Sequence, residues 1–95
     1  MAQIDVLTTA EGQGWVFRVT VSEGASRTAH RVTMTREDYE RLSGEVCPPD
    51  ELVRRSFEFL LEREPKESIL RTFDITAIAN YFPDYEKDIR DRIRP

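Results

Sequence analysis

At 95 residues, with 39% hydrophobic and 34% charged residues, the chain has the composition of one folded domain, not of a disordered tail. Its size allows about 65% of the unfolded surface to be buried, enough for a core without staples. The 14 basic and 18 acidic residues leave a net charge of −4, which disfavours non-specific binding to nucleic acid or membranes but leaves room for a local basic patch.

The acidic excess is confined to residues 35–64, and both flanks are balanced. The single cysteine, Cys47, excludes an intramolecular disulfide and favours a reducing compartment. The opening MAQIDVLTTAEGQG has no basic run followed by an apolar core. No apolar run approaches the ~20 residues of a membrane helix. A cytoplasmic protein is expected, with no membrane association.

In chain order, Gln3–Thr8 alternates weakly, with Ile4 and Val6 on one side and Asp5 and Leu7 on the other. This predicts a short strand. Thr9–Gly14 is a turn, in which Gly12 and Gly14 can take positive φ. Trp15–Ser22 is the clearest strand. Trp15, Phe17, Val19 and Val21 point one way, and Val16, Arg18, Thr20 and Ser22 the other. That pattern belongs to a sheet with one dry and one wet face. Glu23–Ser26 is a hairpin connection around Gly24. Arg27–Thr33 returns, with His30, Val32 and Met34 on one side and Ala29, Arg31 and Thr33 on the other. Short links between sequential strands predict a three-stranded antiparallel meander.

Thr35 with Asp38 three residues on is a variant capping box, and opens a short helix that buries Tyr39 and Leu42. Gly44 stops it. Pro49 suits the first turn of the next helix, and Asp50 and Glu51 suit its positive end. The stretch from Asp50 to Glu64 is the longest with helical apolar spacing: Leu52, Val53, Ser56, Phe57, Leu60 and Leu61 share a face. This central helix is expected to run to Pro65 and to cover the sheet. Ile69–Phe73 reads as a helical turn or an ordered loop. Asp74 reads as an N-cap for ITAIANYF, Pro83 as a break, and DYEKDIRDRI as a last amphipathic helix. The expected fold is a single α+β domain over residues 1–95. In the alternative, the N-terminal strand joins a dimer sheet instead of pairing within its own chain.

The run FEFLLEREPKESILRTFDITAIANYFPDYE, Phe57–Glu86, resembles the C-terminal signature of a group of short bacterial proteins without an assigned activity. The preceding VTMTREDYERLSG is similar in order. The resemblance implies a small bacterial α+β protein and brings no functional residues with it.

Chemistry-bearing residues are sparse. Cys47 lies before two prolines at a helix start, where a thiol can become a nucleophilic thiolate. The only histidine, His30, sits on a strand, so a Cys–His pair is weighed against a small packing role for Cys47 and an exposed or edge-strand position for His30. One cysteine and one histidine cannot close a zinc site, and no phosphate loop or calcium loop is present, so neither cofactor nor metal is expected.

Nucleic acid could be met in two ways. Leu52–Phe82 reads as helix, break, short helix, with Arg54, Arg55, Arg63, Lys66 and Arg71 interleaved with glutamates. Alternatively, a β-ribbon could present Arg18, Arg27 and Arg31. Phe59 lies about 200° round the helix from Phe57. It joins the core if the C-terminal helices pack there; otherwise, with Tyr81, it forms an exposed aromatic patch of the kind that marks a partner surface. A non-catalytic protein-interaction or accessory module is the leading expectation, with an unknown protein or a second copy of the chain as partner. A nucleic-acid-associated regulator is the alternative.

Overall fold

In the computed structural model, which describes residues 2–94, the chain forms an α+β fold built on a four-stranded sheet in the order β1-β2-β3-β4. β1 (Gln3–Glu11), β2 (Gly14–Glu23) and β3 (Ser26–Thr35) form the antiparallel meander that the alternation predicts. β1 runs three residues beyond its expected end. It pairs with β2 along its whole length, so its register is satisfied within its own chain. Gly12 takes a positive φ at the β1–β2 turn, whereas Gly14 does not. Gly14 is small for a different reason: a side chain there would collide with the Met34 carbonyl of β3.

α1 (Arg36–Ser43) starts and stops as the caps dictate. The Thr35 hydroxyl accepts from the Asp38 N–H at 3.0 Å, and Gly44 is left-handed. The Asp38 carboxylate turns to Arg41. α2 (Pro49–Leu61) is shorter than its apolar spacing suggests. The Arg63 and Glu64 N–H groups both converge on the Leu60 carbonyl, at 3.0 and 2.9 Å. The helix is thus wound down before Pro65, which disfavours helical backbone at the residue preceding it.

The meander is extended by a strand that the sequence pattern does not reveal. After a 3-10 turn at Lys66–Ser68, β4 (Thr72–Asp74) pairs parallel with β3, with Phe73 opposite Val32. Three residues are too few for an alternation to be read. Long-range contacts hold β4: Arg31 N–H donates to the Arg71 carbonyl at 2.7 Å, and the Thr33 hydroxyl to Asp74 at 2.6 Å. Asp74 then caps a 3-10 turn, Ile75–Ala77, by accepting from the Thr76 N–H. The turn leads into α3 (Ile78–Tyr81), and α4 (Tyr85–Ile93) follows the break at Pro83.

α2 is the middle of the molecule, as its two-sided burial requires. Phe57 faces the sheet, 5.4 Å from the His30 ring and 6.1 Å from Phe73. Phe59 faces the opposite way, 5.9 Å from Phe82 and 5.3 Å from Tyr85 in edge-on contacts. The C-terminal helices therefore do pack on that side, and Phe59 is fully buried. Tyr85 is buried with it and bonds the Ser56 hydroxyl at 2.7 Å. Ion pairs lie over this packing: Arg92 makes two 2.8 Å bonds to Glu62, and Arg63 lies 3.6 Å above the Phe59 ring. Among the described residues, no helix is long and apolar enough to cross a membrane.

Candidate partner-binding surfaces

With α2 and its neighbours on the dry face, the other face of the sheet is left open. The strand registers place Leu7, Arg18, Arg31 and Thr72 in one row across it. Arg18 and Arg31 are direct cross-strand partners, and like charges directly opposite destabilise a sheet. Arg27 lies on the same face four residues from Arg31, and Arg71 precedes β4. All four arginines are exposed, and none is in an ion pair with a described residue. Between them, Leu7, Val16 and Ala29 help line a shallow depression of about 560 Å³.

In the helical layer most cations are paired, Arg36, Lys87 and Arg94 being the exceptions among the described residues. Arg41, Arg54, Arg55, Arg63, Arg90 and Arg92 each approach a carboxylate, at closest distances from 2.8 to 3.8 Å. Lys66 is buried, and its ammonium bonds Glu23 and Glu67 at 3.1 and 2.7 Å. These partners spend the charge that a helix-turn-helix over Leu52–Phe82 would need. The motif itself does not form, because β4 intervenes and joins the sheet.

Phe59 takes the core branch of the two readings, so of the aromatic patch it would otherwise form with Tyr81, only Tyr81 reaches the surface, 66% exposed. Phe59 is withdrawn by Tyr85 and Phe82. Tyr81 instead shares a groove with Leu70, 47% exposed. The groove is a cavity of about 250 Å³, lined by Leu60, Ile69, Phe73 and Ile78 among others, with Glu64 on its wall.

Cys47 and His30 stay apart in their bonding. The Cys47 carbonyl accepts from the Tyr39 hydroxyl at 2.5 Å. Burial, followed by Glu51 and Asp50, pushes its thiol pKa up. The acids that suit the start of α2 thus oppose the thiolate that a helix start would otherwise favour.

His30 is not at an edge or exposed: only 3% of its surface is accessible. Its Nδ1 lies 2.8 Å from the Leu70 carbonyl, which can only accept, so Nδ1 carries the hydrogen. In the neutral ring Nε2 then accepts from the Thr28 hydroxyl, also at 2.8 Å. Burial lowers the His30 pKa against the opposing pull of the Leu70 carbonyl, and Arg71 lowers it further. His30 thus pins the segment leading into β4. Among the described residues, no His, Cys, Asp or Glu cluster could hold a metal ion, and every buried side-chain polar atom has a partner.

No family model matches the chain, and no curated protein and no solved structure is detectably similar to it.

Arg18, Arg27 and Arg31 thus lie together where the strand alternation puts them. Leu70 and Glu64 line the groove without being singled out by the sequence pattern, and Arg71, which the pattern offers to a helix-turn-helix, joins the sheet-face arginines instead. The alternation places Leu7 beside Asp5, opposite Ile4 and Val6, and the pairing with β2 puts that side on the open face. Nothing local puts Arg71 on the sheet, because its place depends on the parallel pairing of Thr72 with Arg31, far back in the chain.

Proposed function

We propose that this chain is a small non-catalytic protein-interaction module, and that the open face of its sheet docks an acidic segment of a partner protein. The observation that carries this reading is the set of four arginines, Arg18, Arg27, Arg31 and Arg71, held on one face without intramolecular ion pairs. Setting Arg18 against Arg31 costs the fold stability, and carboxylates from a partner would relieve that cost. Arginine is enriched at interfaces because its planar fork binds carboxylates through two bonds. Leu7 and Val16 add apolar contact beside the charges.

The same cations could meet phosphates, but one feature favours protein over nucleic acid. The outward face carries no aromatic ring on which a base could stack.

The test is fluorescence anisotropy with a labelled glutamate-rich peptide and a DNA duplex of equal net charge. Binding of the peptide by the wild type, lost in the Arg18→Glu/Arg31→Glu variant, is expected. Peptide binding that the variant leaves unchanged would overturn the proposal. Preferential duplex binding that falls steeply with salt would replace it with the nucleic-acid reading.

A further inference from the structure

Glu64, just past the end of α2, lines the groove without an arginine paired to it among the described residues, whereas most carboxylates nearby are paired. Glu51, Glu58 and Glu62 each hold an arginine, as do Asp84, Glu86 and Asp88 on the α4 side. Glu64 is half-buried and makes neither an ion pair nor a side-chain hydrogen bond with a described residue. Its backbone position is fixed by the 2.9 Å bond to the Leu60 carbonyl and by Pro65 directly after it. Both hold the residue at the wall of the groove beneath Tyr81.

The rest of that wall is almost wholly apolar: Leu60 from α2, Ile69 and Leu70 from the connecting segment, Phe73 from β4, and Ile78 and Phe82 beyond it. Its volume of about 250 Å³ exceeds the roughly 150 Å³ that suffices to hold benzene.

We propose that this groove binds a small organic amine, whose aromatic or branched aliphatic body fills the cavity and whose ammonium pairs with the Glu64 carboxylate. The apolar lining gives the body a dry contact. The single unpaired carboxylate sets the sign of the ligand's charge. Burial alone holds the Glu64 pKa above the ordinary carboxylate range, a cost to the anion that a bound cation removes. The site is separate from the open sheet face, so each can fail without the other.

The experiment is an NMR titration of the full chain, read at backbone amides, with phenethylamine, its neutral analogue phenethyl alcohol and its anionic analogue hydrocinnamate. Phenethylamine should produce saturable shifts at Ile69, Leu70, Ile78 and Phe82, and bind about tenfold more tightly than hydrocinnamate. Glu64→Gln should reduce its affinity to that of phenethyl alcohol. Leu70→Lys, at an exposed position on the rim, should abolish amine binding by supplying an ammonium from within. Arg18→Glu should leave the titration unchanged. Equal affinity for amine and hydrocinnamate, shifts away from the groove, or no saturation by about 10 mM would each overturn the proposal.

Discussion

On the helical side of the molecule, Arg92 grips Glu62 through two 2.8 Å bonds and also reaches Asp88 at 2.9 Å. On the sheet side, Arg18 faces Arg31 across two strands with no ion pair for either among the described residues. The same residue type closes one surface and leaves the other unfinished. Packing between α4 and its neighbours supplies part of the difference, as in Arg92–Glu62 and Arg41–Glu86, and helix geometry supplies the rest. Side chains three and four apart are neighbours on one helix, so a charged helix pairs within itself, as Arg55 does with Glu51 and Glu58. A strand pairs its side chains with those of another strand, and the register here brings like charges together. Neutralised charge lies over a packed core, and uncompensated charge lies on a bare face, on which the proposed docking rests.

The largest expected effect breaks the helical side. Phe59→Ala removes the ring that Phe82, Tyr85 and the Arg63 guanidinium all contact, and should cost about 3–5 kcal/mol by denaturant unfolding. A loss under about 1 kcal/mol would mean that the ion pairs, not the core beneath them, seat α4.

His30→Ala comes next, at about 1–3 kcal/mol, because it strips the Leu70 carbonyl of its side-chain partner. His30 also gives the sheet side a pH response. Its folded pKa lies below the ordinary value of about 6.5, so protonation favours the unfolded chain. Its contribution is complete above that range, declines as pH falls through it, and levels off once the folded form is protonated. Thermal melts between neutral and mildly acidic pH should show this decline in the wild type, and a shallower one in His30→Ala.

The smallest effects sharpen the comparison most. Arg92→Ala should destabilise by about 1 kcal/mol, and less at high salt, since Glu62 is largely exposed. Arg18→Thr should do the opposite and stabilise by a few tenths of a kcal/mol, by relieving the cross-strand repulsion. Opposite signs in parallel urea titrations would establish that the two faces use arginine differently. Equal losses would erase the distinction.

Much of this molecule is local and therefore legible in the sequence. Alternation in WVFRVTVS, the Thr35 cap, the Gly44 stop, Pro49 at a helix start, the Asp74 cap and the Pro83 break all act within a few residues, and each holds in the fold. The alternation also gave Arg18 and Arg31 their side of the sheet. Only the tertiary structure decided that β4 exists, that Phe59 is sealed by Tyr85, that His30 is buried and that Lys66 loses its exposure to Glu23 and Glu67. It alone set Arg18 opposite Arg31 and left Glu64 without a partner. These outcomes depend on register and on packing between residues far apart in the chain. A short segment such as Thr72–Asp74 carries too little pattern of its own to announce them; its place was settled by Phe57, Arg31 and Thr33.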